Sequence, residues 1–336
     1  MKIGIFCPTH VGLSLRNYTL NLIREFRLRG VEVLCFSEKE DIPTNVDLIW
    51  DPRAGRGAPY YRLLKQIKPI VASFHGSAPM SSELSLRECY GGAWKAFTSI
   101  NRNFIRLMMW RVFQFRLAAI IAVSQYAKYE IGKMLKDSVP VIAIHHGVDL
   151  ENFCPDELDF ESAEPFFLHV SQYQPKKNVR RIIDAFNALN YPNIKLLLVV
   201  PGYRGSEISQ NVRIIRSPLD HGRLAFLYRR ATAFVFPSLH ESFGMPILEA
   251  MACGCPVITS NRTACPEVAG NGALLVNPRS IDQIEAAMRC ILTSKPVREN
   301  LRTKGIERAR IFTWTNCAQK HLAIFEEIVT KGDKNV

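Results

Sequence analysis

Residues 231–260 hold two short apolar segments with a helical pattern between them, and this order constrains the fold more than any other part of the chain. The first segment, 233–236, ends at Pro237, and the second, 257–259, begins shortly after Gly254. Short apolar strands connected through a helix are typical of a parallel sheet that is covered on both faces. Such sheets bind ligands at the carboxyl ends of their strands. The pattern therefore predicts an α/β fold with a binding site directly after residue 236.

Two glutamates, Glu241 and Glu249, flank the predicted beginning of this helix, which a glycine and a following proline mark. The backbone N–H groups of Phe243, Gly244 and Met245 should then point toward one anion, since the helix dipole also favours negative charge there. Carboxylates on both sides of a diphosphate can accept hydrogen bonds from sugar hydroxyls, so the pattern indicates a nucleotide-sugar site. Two solvated glutamates on an ordinary helix would have the same spacing.

The alternation of apolar strands and helical patterns continues through the chain and predicts doubly wound parallel sheets. Predicted strands lie at 3–7, 31–36, 46–50, 70–75, 120–123 and 141–144, and in the second half at 166–170, 194–200, 233–236, 257–259 and 274–276. A length of 336 residues exceeds what one ordinary core organises, so two domains are expected. The acidic stretch 155–165, with a proline at each end, is the predicted linker.

The composition is that of a globular protein with a net charge of +12. Its nine cysteines are scattered without regular C-x-x-C pairs, which favours reduced thiols over a disulfide framework or a zinc site. No uncharged apolar segment is long enough to span a bilayer, and the first residues lack the long apolar region of a signal peptide. We therefore expect a cytoplasmic protein.

Residues 94–117 interleave arginines with aromatic and aliphatic residues, among them Phe104, Trp110 and Phe115. A basic, aromatic-rich helix of this kind can lie on an anionic membrane surface. It can equally be a core helix whose arginines reach the solvent at its rim, and the sequence leaves both interpretations open. Nucleic acid is not an expected partner, because no recognised nucleic-acid-binding module accompanies the positive charge.

The run from Phe236 to Gly270, which includes Pro266-Glu267-Val268, and the following Gly272 to Pro278 match one family in residue types and order. They resemble the donor-site signature of the retaining glycosyltransferases of family four, also called glycosyl transferases group one. The resemblance implies the GT-B fold, in which two Rossmann-like, doubly wound parallel-sheet domains face a central cleft. It assigns residues 1–160 to an acceptor-binding domain, 161–312 to a donor-binding domain, and 313–336 to a helix that crosses back to the first domain.

In this family, a lysine and an arginine stabilise the charge of the departing diphosphate. The lysine corresponds to Lys177, which follows the first strand of the second half, whereas Gln172 occupies the position of the usual arginine. Lys176 and Arg180 are nearby cations that could compensate for the missing arginine. Two cations at the beginning of a helix are unfavourably placed unless an anion joins them. The resemblance therefore implies a catalytic role for Lys177.

The resemblance implies further roles in both domains. Glu241 is expected to bind hydroxyls of the transferred sugar and Glu249 those of the ribose. His75 is expected near the reacting sugar, although a histidine that ends a strand beside a glycine is also common as a structural residue. Ser124 and Glu267 are expected to support the site without contacting the donor. The expected donor-binding residues are Gly12, Gln172, Gly202, Leu219, Phe243, Gly244, Met245 and Glu249.

The implied reaction is the transfer of a hexose, with retention of configuration, from a nucleoside diphosphate sugar to a glycan or lipid-linked acceptor in cell-surface polysaccharide biosynthesis. UDP-hexoses such as UDP-glucose are favoured over GDP-mannose. No prosthetic group and no metal ion are expected, because no D-x-D motif stands at a strand end. The enzyme would act in the cytoplasm, at the inner face of the cytoplasmic membrane if residues 94–117 lie on it.

Two alternatives fit the same residues. A nucleotide-sugar epimerase on the same fold would release a free sugar or an isomer without an acceptor. A non-catalytic protein that binds nucleotide sugars or glycans, attached to a membrane through 94–117, would be consistent with Gln172 in place of the arginine. The presence of Lys177, Glu241 and Glu249 argues against this second alternative.

Overall fold

The computed structural model describes residues 1–9, 12–53, 59–76, 88, 104–135, 138–155, 164–205 and 210–333. The chain divides into two compact units. The first comprises Met1–Ser81, Phe97–Gly147 and Thr313–Val336, and the second comprises Ser82–Ala96 and Val148–Phe312. The boundary after Gly147 precedes the one predicted after residue 160. Glu88, predicted for the first domain, groups with the second unit, where its two carboxylate oxygens accept hydrogen bonds from Arg279 at 3.0 Å.

The first unit is built on a six-stranded sheet in which all neighbouring strands are parallel. Its strands are β1 (Lys2–Phe6), β2 (Glu32–Phe36), β3 (Leu48–Asp51), β4 (Ile70–Phe74), β5 (Leu117–Ala122) and β6 (Val141–Ala143). The order β2-β1-β3-β4-β5-β6 changes direction between β1 and β3. Every residue of β3 and β4 is buried, as expected for central strands of a sheet that is covered on both faces.

The second unit repeats this architecture with a second six-stranded parallel sheet. Its strands are β7 (Phe166–Val170), β8 (Lys195–Val199), β9 (Val212–Ile215), β10 (Ala233–Phe236), β11 (Val257–Ser260) and β12 (Ala273–Val276). The order β12-β11-β10-β7-β8-β9 changes direction between β10 and β7. Loops that leave the carboxyl ends of strands on the two sides of such a switch point diverge and form a crevice for ligands.

The α-helices whose bounds are described are α1 (Leu13–Leu28), α2 (Gln125–Leu135), α3 (Val179–Leu189), α4 (His221–Arg230), α5 (Met245–Ala252), α6 (Cys265–Ala269), α7 (Ile281–Thr293), α8 (Lys295–Arg310) and α9 (Trp314–Asp333). Residues 104–113 are also helical and continue into a 3₁₀ turn at Gln114–Arg116. Helix α1 ends where Gly30 adopts φ 76°, a left-handed conformation that favours glycine. No helix in the described part of the chain is long and apolar enough to cross a membrane.

The last helix, α9, packs into the core of the first unit. Its Phe325 is fully buried and contacts the rings of Phe26 on α1 and Trp50 on β3 at 6.0 Å each. The hydroxyl group of Tyr18 on α1 lies 2.8 Å from Nε2 of His321 on α9. Aromatic packing and a buried hydrogen bond therefore attach the carboxyl-terminal helix to the first unit.

The predicted fold class is confirmed by the two parallel sheets with helices on their faces. Several strand ends were wrong, among them that of β5, which begins at Leu117 instead of residue 120, and one strand was missed. Strand β3 begins at Leu48, after the predicted residue 46, and β9 was missed because Val212–Ile215 is short and carries the exposed Arg213. The short apolar patterns fixed the type of each element better than its ends.

We expect Phe325→Ala to destabilise the first unit by about 3–5 kcal/mol, because it removes a fully buried ring from a core that cannot collapse around the cavity. Thermal and urea unfolding measure the effect. Glu326→Ala, at the neighbouring exposed position, is the control and should leave the transition unchanged. Equal transitions for the two variants would contradict the placement of α9 in this core.

Candidate functional site

The candidate site of the second unit lies at the switch point between β7 and β10. Lys177 ends the 3₁₀ turn Pro175–Lys177 that follows β7, and Glu241 lies in the loop that follows β10. The two loops are joined by a backbone hydrogen bond from Leu239 N to Lys176 O at 2.8 Å. Two residues 64 positions apart in sequence therefore meet at the carboxyl edge of the sheet.

Lys177 and Glu241 form an ion pair, with Nζ 2.6 Å from Oε1. The hydroxyl group of Ser238 donates a second hydrogen bond to the same carboxylate oxygen, also at 2.6 Å. Burial alone would raise the pKa of Glu241, but the charges of Lys177 and Lys176 and the hydrogen bonds from Lys177 and Ser238 together lower it to about 2. The carboxylate is therefore ionised at neutral pH and can accept further hydrogen bonds from a ligand.

A buried histidine, which the sequence prediction did not single out, lies on β7 below this pair. The ring nitrogens of His169 lie 2.8 Å from the carbonyl oxygen of Val235 and 2.9 Å from the hydroxyl oxygen of Ser171. Burial lowers the pKa of His169 to about 4, so the ring is neutral at pH 7. The histidine thus connects β7 to β10 without adding charge beside the lysines.

Asn178 fixes the loops around the site and was also missed as a functional candidate. It adopts φ 63°, and its Nδ2 donates to the carbonyl oxygens of Pro237 at 2.9 Å and Pro278 at 2.6 Å. Asparagine tolerates the left-handed conformation better than most residues. One side chain therefore ties the loops after β7, β10 and β12 together. The signal in the sequence was an asparagine directly before a helical pattern.

Helix α5 begins at the predicted position. Gly244 precedes it with φ 108°, a left-handed conformation that favours glycine, and a Cβ atom there would lie 3.0 Å from Cδ1 of Ile247. The side chain of Phe243 is buried against the ring of Phe312 at 6.0 Å. Phe243 can therefore serve a ligand only through its backbone. The first turn, from Met245 onward, presents the partial positive charge of an eight-residue helix.

Glu249 lies one turn further along α5 and accepts a hydrogen bond from the hydroxyl group of Tyr228 at 3.2 Å. Burial raises the pKa of Glu249 to about 7. The hydrogen bond from Tyr228 lowers the pKa but does not cancel this effect, and the charge of Asp149 raises it further. The two glutamates of the motif therefore differ in ionisation. Glu241 is fully ionised at neutral pH, whereas Glu249 is half-protonated near pH 7 until a ligand or cation approaches it.

The remaining candidates of the second unit lie along the same carboxyl edge. Gln172 follows β7, and its Nε2 donates to the carbonyl oxygen of Pro201 at 3.2 Å, next to Gly202 after β8. Gly202 adopts φ 84°. Leu219 lies between β9 and α4 and is half-buried. Gln172 thus lies at the edge of the sheet where the family resemblance predicts an arginine.

Of the two cations that could compensate for Gln172, Lys176 is the better placed. Its charge helps to lower the pKa of Glu241, so it acts on the carboxylate of the site. Arg180, in contrast, is exposed and forms an ion pair with Asp184 at 3.0 Å one turn along α3. The loop after β7 therefore carries two positive charges that face one carboxylate.

Glu267 is attached to α8 through its backbone. The carbonyl oxygens of Glu267 and Val268 both accept hydrogen bonds from Arg308. The neighbouring Thr263 receives the backbone N–H of Glu241 at 3.1 Å. Thr263 thus supports the loop that holds Glu241, while the supporting role of Glu267 stays a prediction.

Three candidates belong to the first unit, where each follows a strand at the carboxyl edge. Gly12 is exposed and begins α1 with φ −64°, a value open to any residue, so only close approach of a ligand would require glycine there. The buried ring of His75 donates from Nε2 to the carbonyl oxygen of Pro52 at 2.7 Å and packs edge-on against Tyr18. The hydroxyl group of Ser124 caps α2 by accepting from Ala127 N at 2.9 Å.

Models of two protein families match this chain. The model described as "Glycosyl transferases group 1" matches residues 152–308, and that of "Glycosyltransferase Family 4" matches residues 43–152. The chain belongs to glycosyltransferase family four. The resemblance drawn from the motif after β10 is thereby confirmed.

Among the described residues, no group of three or more His, Cys, Asp or Glu is arranged to hold a metal ion.

Characterised relatives include several mannosyltransferases. The O-antigen chain mannosyltransferase B of Escherichia coli is 32% identical over 48% of this chain and 45% of its own length. A phosphatidyl-myo-inositol mannosyltransferase of Mycobacterium leprae is 25% identical over 99% of both chains. This chain spans less than half of the length of the first curated relatives that it matches.

Solved structures show the same fold. A sucrose-phosphate synthase from Thermosynechococcus elongatus superposes with a TM-score of 0.77 at 18% identity and covers 98% of this chain and 99% of its own. At this level of identity the similarity concerns the fold and not the substrate. Together with the two parallel sheets, it confirms the GT-B architecture.

We expect replacement of Asn178 to destabilise the second unit in two separable ways. Asn178→Gly keeps the left-handed backbone accessible but leaves two buried carbonyl groups without their donor, at a cost of about 1–3 kcal/mol. Asn178→Ala loses the same hydrogen bonds and adds backbone strain, so it should be the less stable of the two. Urea unfolding compares them. A glycine variant as stable as the wild type would show that the hydrogen bonds contribute nothing.

Glu249 should make the stability of the second unit depend on pH. Its pKa rises from an ordinary value of 4.5 to about 7 on folding, so the unfolded chain releases the proton first and stability falls between pH 4.5 and 7. Glu249→Gln keeps an acceptor for Tyr228 and avoids this loss. We expect the variant to be more stable at pH 8, on the order of 1 to 3 kcal/mol, and the gain to disappear toward pH 4.5.

Thermal unfolding of the ligand-free protein across this pH range measures the difference between the variant and the wild type. Glu299→Gln, at an exposed position on α8, is the control and should leave the pH dependence as it is. A constant difference between Glu249→Gln and wild type at all pH values would contradict the raised pKa.

Proposed function

We propose that this protein is a retaining, metal-independent glycosyltransferase that moves a hexose from a nucleoside diphosphate sugar to a glycan or lipid-linked acceptor. The observation that carries the proposal is the partly buried ion pair between Lys177 and Glu241 at the switch point of the second sheet. It combines a cation for a departing diphosphate with a permanently ionised acceptor for sugar hydroxyls. Membership of the glycosyltransferase family supports the same reaction class.

The proposed donor site follows from the charges around the pair. Lys176 and Lys177 carry two positive charges, whereas Glu241 carries one negative charge. This excess of positive charge favours the entry of a diphosphate. The beginning of α5 adds backbone N–H groups and the helix dipole on the other side of the phosphates. As the bond from the sugar to the diphosphate breaks, this preorganised positive potential stabilises the charge that develops on the leaving oxygen.

The proposed sugar and ribose contacts fall to the two glutamates. Glu241, held by Lys177 and Ser238, accepts from hydroxyls of the transferred hexose, and Glu249 accepts from the ribose. Among the residues proposed for the site, none is assigned as a covalent nucleophile. We therefore propose front-face attack, in which the acceptor hydroxyl enters on the side from which the diphosphate leaves and loses its proton to a phosphate oxygen. His75 is proposed near the reacting sugar.

The sequence and the relatives point to different hexose donors. The sequence favoured a UDP-hexose such as UDP-glucose, whereas the names of the curated relatives favour a mannosyl donor. Those relatives also support an acceptor in O-antigen or glycolipid synthesis. A lipid-linked acceptor would place the reaction at the inner face of the cytoplasmic membrane.

Turnover should depend on the ion pair. We expect Lys177→Ala to lower acceptor-dependent release of nucleoside diphosphate about 100-fold or more, because the cation acts on charge that develops in the transition state. Glu241→Gln should lower it as well. The assay supplies UDP-glucose, UDP-galactose or GDP-mannose with a panel of methyl hexosides and lipid-linked glycans. Lys195→Ala is the control, since this exposed lysine pairs with Glu164 at the amino end of β8.

Each outcome separates the proposed function from its alternatives. Wild-type rates in Lys177→Ala and Glu241→Gln would overturn the site, provided that thermal unfolding shows both variants to be folded. Sugar isomer formed without an acceptor would identify an epimerase, and donor binding without turnover a non-catalytic protein. Loss of activity in EDTA would contradict metal independence. An anomeric proton signal that shows inverted configuration in the product would contradict retention.

A further inference from the structure

The helix at 104–113 in the first unit is apolar on the side that packs in the core and also on an adjacent side. One side belongs to the core, where Trp110 and Phe113 are buried and the Trp110 ring packs edge-on against Phe74 of β4 at 4.7 Å. On the other side Met109 and Val112 point to the solvent, 39% and 68% exposed. A surface helix of a globular protein normally turns charged residues outward. Packing in the core accounts for only one of the two apolar sides.

The exposed side extends beyond this helix. Phe104 and Ile105 at its beginning and Phe115 just after it are exposed as well. A hydrogen bond from Arg116 to the carbonyl oxygen of Gln66 brings the loop at 66–68 next to the end of the helix. Ile67 in this loop is 98% exposed. We call Ile67, Phe104, Ile105, Met109, Val112 and Phe115 the apolar patch.

Positive charge surrounds the apolar patch. The two segments that form it, 59–69 and 104–116, contain no aspartate or glutamate. Their six cations are Arg62, Lys65, Lys68, Arg106, Arg111 and Arg116. Lys65 and Lys68 flank Ile67 and are exposed, whereas Arg62 is already paired with Asp41. An apolar surface flanked by cations matches the acyl and phosphate layers of an anionic bilayer.

Helix α2 continues this positive surface. The Nε of Arg111 donates to the carbonyl oxygen of Met134 at 3.1 Å, which places the end of α2 against the helix at 104–113. Beyond this contact lies an open cavity of about 550 Å³ whose lining includes Lys128, Tyr129 and Lys133. Lys133 lies 4.3 Å above the Tyr129 ring. The cavity offers room and charge for an anionic headgroup.

We propose that the apolar patch and its cations dock the first unit onto an anionic phospholipid surface, with the patch in the boundary between headgroups and acyl chains. A second copy of this chain is a poorer occupant, since a symmetric contact through the patch would bring the same cations face to face. The docking rests on the exposed surface alone and is independent of the proposed transferase activity.

Sedimentation with vesicles tests this docking. The full chain should bind vesicles of equal parts phosphatidylglycerol and phosphatidylcholine and bind pure phosphatidylcholine at least about tenfold more weakly. Raising the salt concentration about fivefold should weaken the binding. Val112→Ser combined with Phe115→Ser should lower it about tenfold, because both side chains are exposed in the absence of a membrane and would be buried in it.

Leu28→Ser is the matched control, because Leu28 is 70% exposed on α1, on the other face of the sheet. Two consecutive residues of β4 show that α1 and the helix at 104–113 cover different faces of the sheet. Ser73 is hydrogen-bonded to Tyr18 of α1, whereas Phe74 points the opposite way, toward Trp110. Leu28→Ser should bind vesicles as the wild type does. Thermal unfolding verifies that all variants are folded.

Three results would overturn the docking: no binding to the anionic vesicles, equal binding to both compositions, or equal losses in the control and the patch variant. Analytical ultracentrifugation tests the alternative occupant, a second copy of this chain. If the protein self-associates without vesicles and the patch variant becomes monomeric, the patch is a subunit interface and the docking proposal fails.

Discussion

The ion pair of Lys177 and Glu241 is the interaction on which the organisation of the second unit depends. Burying a carboxylate costs free energy unless a cation and hydrogen bonds replace the lost water. Here the lysine and the hydroxyl group of Ser238 provide that replacement at 2.6 Å each. Because the two charges come from loops on neighbouring strands, the pair holds only if β7 and β10 are adjacent. The charge pairing therefore depends on the strand order.

The loops around this pair are held more firmly than loops usually are. Asn178 bonds to the loops after β10 and β12, Leu239 bonds to Lys176, and Thr263 receives the backbone of Glu241. These contacts fix the carboxylate and the lysines before any ligand arrives. A site whose charges are already oriented loses less free energy to reorganisation when charge develops on a ligand. The structural asparagine and threonine thus serve the same chemistry as the charged residues.

Of residues 94–117, the structure describes those from 104 onward and shows which of them lie in the core, whereas their contact with a membrane stays a prediction. Trp110 and Phe113 are core residues, whereas Val112 and Phe115 are exposed. The helix therefore meets the core with one side and leaves the other apolar side at the surface. Amino-acid composition could not decide which side is covered, since apolar residues lie on both sides of the helix. The neighbouring β4 decided which side is covered.

The sequence by itself determined the fold class, the family and the identity of the two central charges, because apolar alternation and a motif of ordered residue types are local properties. It could not show that Lys177 pairs directly with Glu241, that Lys176 acts on this carboxylate while Arg180 pairs elsewhere, or that burial separates the pKa values of Glu241 and Glu249. These facts depend on which strands become neighbours and on how much water remains around each side chain. Only the tertiary structure sets both.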